Sequence, residues 1–161
     1  MNACQAMLAA LIVQTSAVAA GAEGLCTTKE AVIFNCEFER AAASLCQSVK
    51  NGNLVYRSAR DGRLAVEVSN EGGGKEQVFR FSFAPYAGGG EAHIRFKQSE
   101  YTYYLYDYTI RTDEGPTFSA GVAIYRRDKR ISNLNCVNDA SIRASAYESI
   151  DREGYRRIEN R

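Results

Sequence analysis

Apolar and polar residues alternate with a period of two along most of this chain. Val32, Phe34, Cys36 and Phe38 fall on one side, with Asn35, Glu37 and Glu39 on the other. Leu64, Val66 and Val68 alternate with Arg63, Glu67 and Ser69. Phe79, Phe81 and Phe83 alternate with Arg80 and Ser82, and Ala92, Ile94 and Phe96 with Glu91, His93, Arg95 and Lys97. Successive side chains of a strand point to opposite sides of its sheet, so this pattern predicts antiparallel strands with one buried face each. Turn chemistry punctuates the runs. Asn51-Gly52 and Asp61-Gly62 suit two-residue hairpin turns, and Arg126-Arg127-Asp128-Lys129 reads as a third tight reversal. Gly72-Gly73-Gly74 and Gly88-Gly89-Gly90 read as flexible connections, while Pro85 and Pro116 are expected outside strand interiors. The expected fold is all-β: an antiparallel meander of about eight or nine strands, closed as a barrel or folded as a sandwich.

Two segments depart from this alternation. Asn138 or Asp139 can cap a short C-terminal helix beginning at Ala140, with Ile142, Ala146, Tyr147 and Ile150 at helical spacing. The polar tail, residues 151–161, is expected to be loosely held. At the other end, residues 1–22 contain no Asp, Glu, Lys or Arg, and run through the apolar block 7–13 to Ala20-Gly21-Ala22. That is the pattern of a signal peptide cleaved after Ala22, and Gln14, Thr15 and Ser16 interrupt it before the roughly 20 apolar residues a membrane span needs. The expected organisation is a signal peptide over 1–22, one β-domain over 23–150 and the tail, in a protein that is periplasmic or secreted.

Export changes the meaning of the cysteines. Cys4 leaves with the leader, and Cys26, Cys36, Cys46 and Cys136 remain in an oxidising compartment, which predicts two disulfides. Three pairings are possible. A hairpin tip over 37–43, centred near Ala41, sets Cys36 opposite Cys46 and leaves Cys26 to meet Cys136. A zinc site is disfavoured by the missing C-x-x-C pairs and the single histidine, so no metal or cofactor is expected.

Charge and motifs exclude more than they identify. Twenty basic residues stand against 19 acidic ones, with the signs mixed along the chain, which argues against nucleic acid as a partner. No G-x-S-x-G appears, the glycine runs lack the Gly-Lys-Ser/Thr of a phosphate loop, and Asp113-Glu114 adjoins the turn residues Gly115-Pro116. His93 is expected as a solvated strand histidine. An enzyme reading would need it in a deep cleft beside a carboxylate. The densest feature is aromatic: Tyr104, Tyr106 and Tyr108 on one side of a strand, with Tyr101, Tyr103, Leu105 and Asp107 on the other. Strand tyrosines pack well, and they also make good contact surfaces. Arg57, Arg80, Arg95 and Arg111 could flank such a surface as forked donors.

Cys26-Thr27-Thr28-Lys29-Glu30, Cys36, Cys46, Ile94-Arg95-Phe96 and Phe118-Ser119-Ala120-Gly121 together resemble a group of small exported bacterial β-proteins. The architecture is more distantly similar to the periplasmic lysozyme inhibitors, whose serine–glycine–tyrosine signature is loosely echoed by Ser119, Gly121 and Tyr125. The resemblance implies an exported, non-enzymatic binding protein whose partner is a protein such as a cell-wall hydrolase. An inhibitor would offer hydroxyls and guanidiniums to a cleft's carboxylates, which nominates Tyr106, Arg111, Ser119 and Tyr125. The alternative is a hollow barrel around a small apolar ligand, lined by Phe79, Phe81, Phe83 and Ile94.

Overall fold

The period-two segments fold into nine antiparallel strands, seen here in a computed structural model that describes residues 23–70 and 78–158. The leader, Cys4 and the run Gly72-Gly73-Gly74 lie outside the described residues. β1 (Glu30–Glu37), β2 (Ala41–Ser48), β3 (Leu54–Arg60) and β4 (Arg63–Ser69) form one sheet in chain order. β5 (Arg80–Tyr86), β6 (Gly89–Gln98), β7 (Tyr101–Thr112), β8 (Gly115–Arg126) and β9 (Lys129–Asn135) form the second, also in chain order. The two meanders remain separate sheets stacked face to face, so the fold is a sandwich and not a closed barrel.

Cross-strand rows explain the core. Phe34, Leu45, Tyr56 and Val68 are successive partners across the first sheet; Phe81, Ile94, Leu105 and Val122 are successive partners across the second. The two sheets meet through aromatic contacts, with the Tyr56 ring 4.6 Å from Phe96 and 6.0 Å from Tyr103. Phe79, Phe81 and Ile94 are fully buried in this packing, and Phe83 is largely exposed beside Tyr147. The space expected between these four residues is therefore filled.

Two bulges displace the strict alternation. One between Val32 and Phe34 inserts Ile33, so Ile33, Phe34, Asn35 and Cys36 are all buried. Another after Ser58 turns Leu64 outward. The first, with a Phe38-Glu39-Arg40 turn two residues short of the expected centre, also decides the disulfides. Cys36 pairs in register with Ala43, and Cys46 with Val32. Positions 43 and 46 of β2 point to opposite faces, so Cys36 and Cys46 cannot meet. Instead Cys26 bonds Cys46 on the outside of the first sheet, and Cys36 bonds Cys136, tying the first sheet to the segment after β9.

Asp61-Gly62 makes the expected two-residue turn with both φ angles positive, and Arg127-Asp128 joins β8 to β9 with only Arg127 at positive φ. Asn51-Gly52 does not: five residues separate β2 from β3 there. Gly89 and Gly90 belong to β6, and Pro85 and Pro116 lie within β5 and β8, Pro85 on an edge strand that tolerates a missing N–H. The helix is shorter than expected, α1 spanning only Ala146–Ser149. Its would-be first turns are spent elsewhere: Ile142 N–H donates to Asp107 Oδ2, and Arg143 N–H to the Ile33 carbonyl. Asn138 caps no helix but accepts from Glu37 N–H and donates to the Asn35 carbonyl.

The described part of the tail, residues 151–158, is not loose. Phe81 N–H donates to the Asp151 carbonyl and Glu153 N–H to the Phe81 carbonyl, a parallel bridge on the edge of β5. From there residues 153–158 cross the outer face of the second sheet.

Candidate functional site

The outer face of the second sheet is built from the residues that alternate with its core. One cross-strand row runs Ser82, His93, Tyr106, Gly121 and Asn135; its neighbours run Arg95, Tyr104, Ala123, Asn133 and Glu91, Tyr108, Ser119. Gly121 matters to this row because a side chain there would meet the Tyr106 hydroxyl. Its absence lets the Tyr106 ring lie across β8 and donate 2.8 Å to Asn135 Oδ1.

Over this face the tail places a polar cluster. Glu91 accepts hydrogen bonds from the Tyr155 hydroxyl at 2.6 Å and the Tyr86 hydroxyl at 2.7 Å. His93 Nε2 sits 2.5 Å from the same carboxyl. Burial alone would push that carboxyl up, but the hydrogen bonds from His93, Tyr155 and Tyr86 outweigh it and hold it at about 2. The carboxylate is therefore ionised at neutral pH, and Nε2 is the donor. Burial pushes the Tyr86 and Tyr155 phenols up, so both remain protonated donors. Arg95 clamps the tail once more through a bidentate pair with Glu153 at 2.7 and 2.5 Å.

His93 is thus not solvated. Its ring is completely buried, stacked 5.1 Å from Tyr155, with a carboxylate neighbour. Among the described residues no group hydrogen-bonds its Nδ1. Four residues that sequence reasoning left in the background therefore organise the face: Glu91, Tyr86, Glu153 and Tyr155.

The tail divides the remaining surface into two clefts. One of about 420 Å³ holds Tyr86, Glu91, Tyr106, Tyr108, Ser119 and Asn135. The other, of about 610 Å³, has Tyr104 and Tyr125 in edge-to-face contact at 5.5 Å, with Lys97, Arg127, Arg156 and Arg157 around them. Tyr106 and Ser119 are therefore brought together, and Tyr125 lies on the same face beyond the tail. Arg111 is not part of this site, because it alternates to the opposite side of β7 and packs its stem over Gly88. The other arginines named as flanking donors are already engaged. Arg57 lies on the first sheet with Glu30 and Glu67, Arg80 with Asp151, and Arg95 with Glu153.

No protein-family model, curated protein or solved structure matches this chain. The surface must therefore be read from its own chemistry. Among the described residues no group of three or more His, Cys, Asp or Glu side chains could hold a metal ion. No helix among them is long and apolar enough to cross a membrane.

Lys97, Arg127, Arg156 and Arg157 have no ion-pair partner among the described residues, and Asp128 is the one acid beside them not already claimed by Arg126 or Arg95. Burial pushes the Tyr104 phenol up, and the charges of Arg95 and then Arg156 draw it back. What the arrangement offers chemically is a floor of Tyr104 and Tyr125 rings surrounded by guanidinium and ammonium donors for carboxylates.

Proposed function

We propose that this protein is an exported, non-enzymatic binding domain that applies the basic cleft of its second sheet to a carboxylate-lined surface of a partner protein. Inhibition of a cell-wall hydrolase such as a lysozyme is the specific form of that reading. The observation that carries it is the ring of four cations around Tyr104 and Tyr125 that have no ion-pair partner among the described residues. Unpaired guanidiniums beside rigid aromatic rings contribute strongly when a partner desolvates them, and they steer association with acidic surfaces. Export rests on the leader pattern, and two disulfides are what an oxidising compartment produces. A non-enzymatic role agrees with a histidine sealed beneath Tyr155, where a general base would have no substrate in reach.

The test is a cell-wall lysis assay with purified protein and representative lysozymes. Lysis should slow at micromolar protein, less so as salt is raised, and Arg127→Gln with Arg156→Gln should weaken the effect by tenfold or more, about 1.4 kcal/mol. If no lysozyme is slowed at that concentration, hydrolase inhibition is wrong.

A further inference from the structure

We propose that the open end of the sandwich, between the β1–β2 and β3–β4 turns and strands β8 and β9, binds the alkyl chain of a fatty acid and holds its carboxylate between Arg60 and Arg63. This site is separate from the basic cleft, which lies on the outside of the second sheet.

The two ends of the sandwich are packed differently. At one end Phe34, Phe79, Phe81 and Phe96 fill the space between the sheets and are fully buried. At the other, the inward positions of β2 are Ala41 and Ala43, whose methyl groups do not span the ~10 Å between stacked sheets. The result is a hollow of about 570 Å³, lined by Phe38, Ala43, Tyr56, Tyr103, Val122 and Ile124. That lies within the roughly 300–1,000 Å³ of small-ligand sites, and its walls are mainly apolar, as an alkyl chain requires.

The mouth supplies the second half of the argument. The Asp61-Gly62 turn makes Arg60 and Arg63 direct cross-strand neighbours, and Arg60 shares its face with Tyr56 and Ser58. Like charges set opposite one another destabilise a sheet unless an anion lies between them. Neither arginine has an ion-pair partner among the described residues, because Asp61 is taken by Arg40 at 2.9 Å. Glu39 and Arg60 line the rim, and Arg63 adjoins it as the cross-strand partner of Arg60. An apolar hollow capped by paired forked donors matches an amphiphile with a carboxylate head.

The experiment is calorimetric titration of the mature chain with dodecanoate below its micelle concentration, with dodecan-1-ol and butyrate as arms. Tyrosine emission is a parallel readout, since the chain has no tryptophan and both Tyr56 and Tyr103 line the hollow. Dodecanoate should bind saturably at one equivalent, dodecan-1-ol about tenfold more weakly, and butyrate not at all. Arg60→Gln with Arg63→Gln should bring dodecanoate down to the level of the alcohol and leave the alcohol unchanged. Ala41→Leu should abolish binding of both, with circular dichroism confirming that the variant is folded; if it is not, the exposed arginine pair decides alone. Absence of saturable dodecanoate binding, or affinity untouched by the arginine variants, overturns the proposal.

Discussion

Glu91 makes the stability of this protein depend on pH in a way that can be isolated. Its carboxyl sits at about 2 in the folded chain against 4.5 when unperturbed. That gap corresponds to roughly 3 kcal/mol of folding stability, at ~1.4 kcal/mol per tenfold change in protonation. The side chain is only 15 % exposed, so solvent screening removes little of it. Between those two values the unfolded chain binds the proton and the folded chain does not, so stability rises with pH there. The contribution is complete above about pH 5 and disappears as pH falls towards 2. Other carboxyls titrate in the same region: hydrogen bonds from Arg57 lower Glu30, and burial raises Asp107. The informative quantity is therefore the difference between wild type and Glu91→Gln, which keeps the shape but cannot ionise. Urea unfolding followed by circular dichroism at several pH values between 2 and 7 measures it. The variant should be less stable by roughly 2–3 kcal/mol at pH 6, and the two curves should converge near pH 2. An equal rise with pH in both proteins would refute the reasoning.

The disulfides and the tail give two further expectations. Replacing Cys36 and Cys136 by alanine opens a loop of 100 residues and should cost about 4–5 kcal/mol in the chain-entropy account, while Cys26 and Cys46, 20 residues apart, should cost about 3; urea midpoints of the two double variants give the order. Ending the chain after Ile150 removes Tyr155 and Glu153, so diethyl pyrocarbonate should modify the single histidine quickly in the truncated protein and slowly in the full one.

Most of the sandwich was legible because its information is local. Period-two alternation places Ile94, Phe96, Tyr103 and Leu105 inward and His93, Tyr104 and Tyr106 outward, and the structure keeps every one of those faces. The Asp61-Gly62 turn was equally legible, since two adjacent positive φ angles leave few residue choices. Disulfide pairing was not. It depends on absolute register, and one inserted residue at Ile33 with a turn displaced towards Glu39 moves Cys36 and Cys46 to opposite faces. Alternation is unchanged by such a slip except at the bulge itself, so nothing in the local pattern reports it.

The tail failed to be legible for a different reason, and the same reason explains the site. Residues 151–158 carry three arginines and two acids with no periodic apolar face, which is the composition of a solvated end. What docks them is a set of single, long-range matches: Glu153 to Arg95, Tyr155 to Glu91 and His93, and two backbone bonds to Phe81. Each partner looks ordinary alone, because a polar residue on the outer face of a strand is the default. Only their coincidence in space turns a solvated histidine into a sealed one and divides one tyrosine-rich face into two clefts. Tyr106, Ser119 and Tyr125 share one face of the second sheet because strand parity puts them there. Arg111 went astray because alternation had already placed it on the other side, with Asp107 and Tyr103. A chemical role assigned from residue type has to agree with strand parity before it can name a site.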